Sequence, residues 1–265
     1  MNFFVLDLAS KKAVLKDLFI LFIKAIPIGI SNTLPGISGG TIALVLKIYT
    51  RLINSIKKVK IIELIFVALG AALGIFLAAK LIDGLLESSP NLMLAFLMGL
   101  ILLSSKVTIV EIKEYDFKSV ILIFLGFSVA YFFAVDMSGP TVEASNISYF
   151  IGGLLSSSAM IIPGISGGTL LAMLGLYEAF VQAVESFDIT RLFIIAAGMG
   201  VGIMGFAWPL SYLLKNYRSL LMALMTGLIL GSVRSVIPAT FGFAELLSLL
   251  LGGAVVLIFD LGVDK

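Results

Sequence analysis

Two eight-residue stretches, LPGISGGT at Leu34–Thr41 and IPGISGGT at Ile162–Thr169, carry the residue types with which a backbone holds an anion. Proline lacks an amide hydrogen, and paired glycines let the chain turn tightly and approach a ligand. Pro35, Gly36, Ser38, Gly39, Gly40 and Thr41, and again Pro163, Gly164, Ser166, Gly167, Gly168 and Thr169, are therefore expected to end one helix and open the next. Thr41 and Thr169 are the expected N-caps, with free amides and the positive helix end facing the tip. Such a tip suits a phosphate or carboxylate. Full cations stand at two matching places, Lys106 and Arg234, and each either reaches that anion or snorkels to its own interface. Glu178, following GLY in the second copy, is a candidate proton carrier, with an exterior carboxylate as an equally good account, because its counterpart in the first copy is Thr50.

Other chemistry is excluded by composition. The chain has no Cys and no His, which removes thiolates, disulfides, the usual general base and most zinc sites. No enzyme, cofactor or metal is expected. No basic run interleaved with aromatics suggests a nucleic-acid face, and a net charge of +2 says little about partners. The first apolar stretch is interrupted by Lys24 and has no small-residue cleavage site, so it reads as a retained segment.

Helices in lipid must position the motifs. With 60% hydrophobic and 13% charged residues and a mean hydropathy of +1.16, the chain lacks the polar surface to coat a water-soluble globule. The expectation is an all-α polytopic membrane protein. Apolar segments fall near 13–34, 41–56, 61–86, 92–110 and 117–135, and again near 147–162, 169–186, 190–214, 220–238 and 243–261. An offset of 128 residues carries Pro35 onto Pro163, Tyr49 onto Tyr177, and LMLAFLMGLILLSSK onto LLMALMTGLILGSVR, so the chain is an internal duplication. Five segments per half is an odd number, so the repeat is expected to be inverted, with residues 1–140 as the first half and 141–265 as the second. Arg51, Lys57, Lys58, Lys60, Lys106, Lys113, Lys118, Lys215 and Arg218 gather in alternate loops. The intervening loops hold Asp83, Glu87, Asp136, Glu143, Glu178, Glu185 and Asp188, which puts both termini in the cytoplasm.

A spanning helix needs about 20 apolar residues. The stretches beside the motifs mostly fall short of that, so each half is expected to hold a re-entrant helical hairpin, near 13–56 and 147–186, plus three spanning helices. Two hairpins entering from opposite faces would bring their tips together near the midplane, as inverted-repeat transporters do. Gly70, Gly74, Gly198 and Gly202 read as close helix packing. Lys24, Lys47 and Arg51 lie in or beside the first hairpin, where they either snorkel or approach the anion. Lys80 and Asp83 pair on one helix face, and Trp208-Pro209 marks a kink or an interfacial anchor.

The doubled PGISGGT, each followed by an apolar stretch ending in KIY or GLY, resembles the bacterial polyprenyl-phosphate transporters of the PopT family over nearly the whole chain. Members usually read Gly-hydrophobic-Tyr-Glu after both motifs, and here the first copy reads KIYT. The resemblance implies a multi-pass protein of the bacterial plasma membrane that returns undecaprenyl phosphate from the outer to the cytoplasmic leaflet. It also implies that Pro35–Thr41 and Pro163–Thr169 contact this lipid phosphate, with membrane lipids as the other partners. Read without the resemblance, the same hairpins also suit a channel or carrier for a small anion.

Overall fold

The computed structural model describes residues 2–34, 36–133 and 144–262, and among them every regular element is helical. Pro35, Asp136 and Glu143 lie outside the described residues, as do the side chains of Lys80 and Asp83 and with them the pair expected on that helix face.

Helix α1 (Asn2–Asn32) runs into the first motif, where Gly36 takes φ +74°, a value that glycine adopts without strain. α2 (Gly39–Val45) begins at Ser38 and stops where Lys47 turns left-handed at φ +56°. α3 (Tyr49–Lys57) follows, and a second left-handed residue, Val59, leads into α4 (Ile61–Ser88). α5 (Pro90–Ile109) carries proline in its first turn, where a missing amide costs nothing. Asp116 opens α6 (Phe117–Phe133) by accepting the Ser119 amide at 2.8 Å.

The second set repeats the first. It comprises α7 (Asn146–Ile161), α8 (Gly167–Met173), α9 (Tyr177–Glu185), α10 (Ile189–Asn216), α11 (Arg218–Ser232, continued by a 3-10 turn at Val233–Val236) and α12 (Phe243–Gly262). Left-handed residues recur in register, Gly36 with Gly164, Lys47 with Gly175 and Val59 with Phe187.

Two details differ from expectation. The stretches 41–56 and 169–186 are each two helices, because a left-handed residue breaks them in the middle; α8 and α9 meet at 113°. The N-caps are Ser38 and Ser166, not Thr41 and Thr169. Each serine is extended and its Oγ accepts an amide, from Gly40 at 3.2 Å and from Thr169 at 3.5 Å, while the threonines already lie inside the helix.

Among the described residues, α4, α5, α10, α11 with its turn and α12 are long and apolar enough to cross a membrane, which makes this an all-α polytopic membrane fold. Seven-residue α2 and α8, about 10 Å long, cannot cross alone. Glycines set the packing. A Cβ on Gly70 or Gly74 would strike the backbone of Phe22 or Ile26 on α1, and Gly198 and Gly202 stand in the same relation to Phe150 and Leu154 on α7. α5 lies against α12 where Gly252 meets Phe96, and α11 against α6 where Gly227 meets Ile123, so helices of the two sets interlock. The core gathers on α5 and α11, where Leu97, Ile101, Met222, Met225 and Ile229 are buried. Between them the buried hydroxyls of Thr226 and Thr108 satisfy each other at 2.7 Å.

Candidate functional site

The structure brings the two motifs together. Thr41, buried at the start of α2, accepts the Gly164 amide on Oγ1 at 3.1 Å, which bonds one motif directly to the other. The Ser38 hydroxyl lies 3.2 Å from the Met160 carbonyl and 3.1 Å from that of Ile162. Tyr49 donates its phenolic hydroxyl to the Ile161 carbonyl at 2.9 Å. The last carbonyls of α7, which have no partner within their own helix, are thus met by side chains of the first hairpin.

Two small clefts flank this junction. One, of about 40 Å³, is lined by Ser38 and Gly39 from the first motif, Ser166, Gly167 and Gly168 from the second, and Asn32. Among the described residues, the amides of Gly167 and Gly168 take no protein acceptor. The other, of about 30 Å³, is lined by Gly36, Gly164, Ser166, Thr169, Ser232 and Ser235. Amides and hydroxyls converging in small spaces are donors for an anion and offer no nucleophile with its base. Among the described residues no group of three or more acidic side chains stands ready for a metal.

The junction is lopsided although the sequence around it is repeated. Ser38 and Thr41 are buried, whereas their repeat mates Ser166 and Thr169 are half-buried and Tyr177, the mate of Tyr49, is exposed. Among the described residues neither the Tyr177 nor the Thr169 hydroxyl has a partner across the junction.

The other expected residues lie elsewhere. Lys106 pairs with Asp260 at 3.2 Å beside a cavity of about 510 Å³ that Lys47, Tyr49, Thr50, Glu111 and Arg218 also line. Lys47 pairs with the same Asp260 at 3.5 Å, and Arg218 forms a forked pair with Glu111. Arg234 donates to the Tyr131 carbonyl at 2.9 Å and sits 4.3 Å over that ring. Neither Lys106 nor Arg234 lines the clefts, although Ser232 and Ser235 on either side of Arg234 do. Glu178 is exposed in the first turn of α9. Lys24 donates to the Leu46 carbonyl at 3.1 Å, and Arg51 is held by Asp17 and Glu63. Lys57 sits 4.9 Å over the Trp208 ring.

Asn32, Ser232 and Ser235 were missed as cleft residues. The available signal was that each is a polar residue beside a motif or a cation in an otherwise apolar stretch. In the sequence, Tyr49 stands out only as the repeat match of Tyr177.

A family model described as undecaprenyl phosphate translocase-like matches residues 28–248. A polyprenyl-phosphate transporter of Vibrio cholerae serotype O1 is 32% identical over 237 residues, covering 82% of this chain and 77% of the relative. A polyprenyl-phosphate transporter of Staphylococcus aureus is 27% identical over 247 residues, covering 83% and 86%. No solved structure gives a significant match.

Proposed function

Because the chain belongs to the undecaprenyl phosphate translocase-like family, we propose that it carries undecaprenyl phosphate across the bacterial plasma membrane, from the outer to the cytoplasmic leaflet, with the phosphate held between the two motif tips. The observation that carries this site is the meeting of both PGISGGT copies in one polar cleft, with the Gly167 and Gly168 amides open to a guest. Free amides and hydroxyls replace part of the water a phosphate must shed at mid-membrane, where an unpaired anion is costly. Fixed partial charges alone do not match a full negative charge. Lys106, in the large cavity, and Arg234, between two cleft serines, are therefore assigned as the cations that receive the phosphate on its way in or out. Glu178, exposed in the first turn of α9, is the candidate proton carrier, with an exterior carboxylate as the alternative.

The transport path follows from an inverted repeat of residues 1–140 and 141–265, each half with one re-entrant hairpin. Several observations support it. Phe22 meets Gly70 and Ile26 meets Gly74, so α1 and α4 run parallel, and α7 and α10 do likewise through Phe150 with Gly198 and Leu154 with Gly202. A helix parallel to the one that follows its hairpin leaves the hairpin with no net crossing. Lys113 donates its amide to Ser219 and Arg218 grips Glu111, gathering the basic loops at one end of the bundle. That end is the cytoplasmic one by the positive-inside rule, and both termini lie there.

The lopsided junction supplies the motion. Exchanging the halves turns Tyr49 bonding Ile161 into Tyr177 bonding the Thr33 carbonyl, and Thr41 accepting from Gly164 into Thr169 accepting from Gly36. Swapping one set of bonds for the other exposes the cleft first on one face and then on the other, at little net cost because the two sets are alike. The test is leaflet-resolved: liposomes containing the purified protein should move undecaprenyl phosphate between leaflets faster than empty liposomes. If they pass inorganic phosphate instead, and no lipid, the small-anion alternative replaces this reading.

A further inference from the structure

Next to the polar cleft lies a half-open apolar cavity of about 240 Å³ between α1, α2, α5 and α12, walled by Ile37, Ile42, Leu46, Phe96, Val256 and Phe259. Ser31, the polar side chain among its lining residues, donates its hydroxyl to the Ile28 carbonyl at 2.7 Å, so the wall offers hydrocarbon. Ile37 lines this cavity and also the cleft that holds Ser38 and Gly39. The polar space built from both motifs and the larger apolar one thus share a wall at Ile37.

We propose that this cavity binds the first isoprene units of the lipid whose phosphate occupies the cleft, making it the tail subsite of the transporter. The proposal rests on the phosphate reading above and adds the part of the substrate that reading leaves unplaced. An apolar recess of this kind holds no ordered water, because water finds no hydrogen-bond partners there. Within a bilayer no hydrophobic gain draws a chain out of lipid, so shape and van der Waals contact select the guest. Isoprene units are branched and carry flat double bonds, which suits walls of branched aliphatics with Phe96 and Phe259. A straight acyl chain is the competing guest. The tether decides between them: a prenyl chain ends in a slim phosphate monoester that reaches the cleft past Ile37, whereas a glycerolipid would bring a bulky diester head to a cleft of about 40 Å³. The cavity holds only the start of a polyprenyl chain, and Phe259, 41% exposed, stands where the remainder would leave for the bilayer.

The experiment uses the full chain in nanodiscs with a farnesyl phosphate analogue bearing a diazirine on its second isoprene unit. Adducts are expected on α5 around Phe96 and Leu100 and on α12 around Val255 to Phe259, displaced by undecaprenyl phosphate and unaffected by phosphatidylglycerol. Adducts confined to α4 or α10, or displaced equally by phosphatidylglycerol, overturn the tail subsite. In parallel, Val256→Phe should fill the cavity and weaken farnesyl phosphate binding about tenfold while leaving butyl phosphate within about twofold; equal changes for both ligands also overturn it. If the unmodified protein binds neither butyl phosphate nor undecaprenyl phosphate, the phosphate reading itself has failed, and the tail subsite falls with it.

Discussion

Gly164 and Gly168, four residues apart in the second motif, make opposite demands. Gly164 has φ +82°, and a Cβ there would run into the backbone of Leu228. Gly164→Ala should therefore destabilise the protein by ~1–3 kcal/mol, seen as a lower melting temperature in detergent. A Cβ on Gly168 would meet the Tyr177 ring at 3.7 Å and the Ser166 hydroxyl at 3.8 Å, ordinary contacts, yet it would take up space at the cleft. Gly168→Ala should melt close to the unaltered protein but transport several-fold more slowly; a normal rate would move the phosphate away from this tip. For the two cations, Lys106→Gln and Arg234→Gln should each weaken lipid-phosphate binding roughly tenfold, the worth of one charge-assisted contact, and the double variant should be inactive. Lys58→Gln is the exposed control. Unchanged affinity in the double variant would mean that Asp260 and Tyr131 are the only business of these cations. Arg234→Lys should restore only part of the function, because an ammonium keeps the charge but not the planar fork.

The hairpins show how an element is set by a few torsions and bonds. Without the left-handed turn at Lys47, α2 and α3 would run on as one helix, and Tyr49 would not face α7. Tyr49→Phe removes the donor to Ile161 and should cost about 1 kcal/mol in the observed arrangement, enough to shift a two-state balance about fivefold. If the bond sets exchange as proposed, Tyr177→Phe removes a bond made only in the exchanged arrangement. A cysteine placed at Ser235, which is exposed and lines the cleft by Gly36, should report both by its labelling rate, with the two variants moving it in opposite directions. Movement in the same direction, or none in either, would rule out the exchange of bond sets.

For the molecule as a whole, the inverted arrangement has a direct check, since the chain contains no natural cysteine. Single cysteines at Glu87 and Ser186 should react with an impermeant thiol reagent added outside cells, while those at Lys58 and Lys215 should not. Equal reaction at Lys58 and Glu87 would show that the two ends of α4 are not on opposite faces. The membrane class, the ten apolar segments and the duplication were legible in the linear chain because each is a local or self-comparing property: composition, the length of apolar runs, and the return of Pro35–Thr41 at Pro163–Thr169. The packing role of Gly70, Gly74, Gly198 and Gly202 was legible for the same reason, since small residues one turn apart invite a neighbouring helix wherever it comes from. Folding in three dimensions was needed to decide the partners. Nothing near Lys106 in the chain announces Asp260, 154 residues away, nor does Ser38 announce carbonyls more than 120 residues on. Composition and local torsions act between neighbours along the chain, so they leave a record in it. A hydrogen bond across helices depends on which faces pack together, and that is settled only when the helices compete for the same interior.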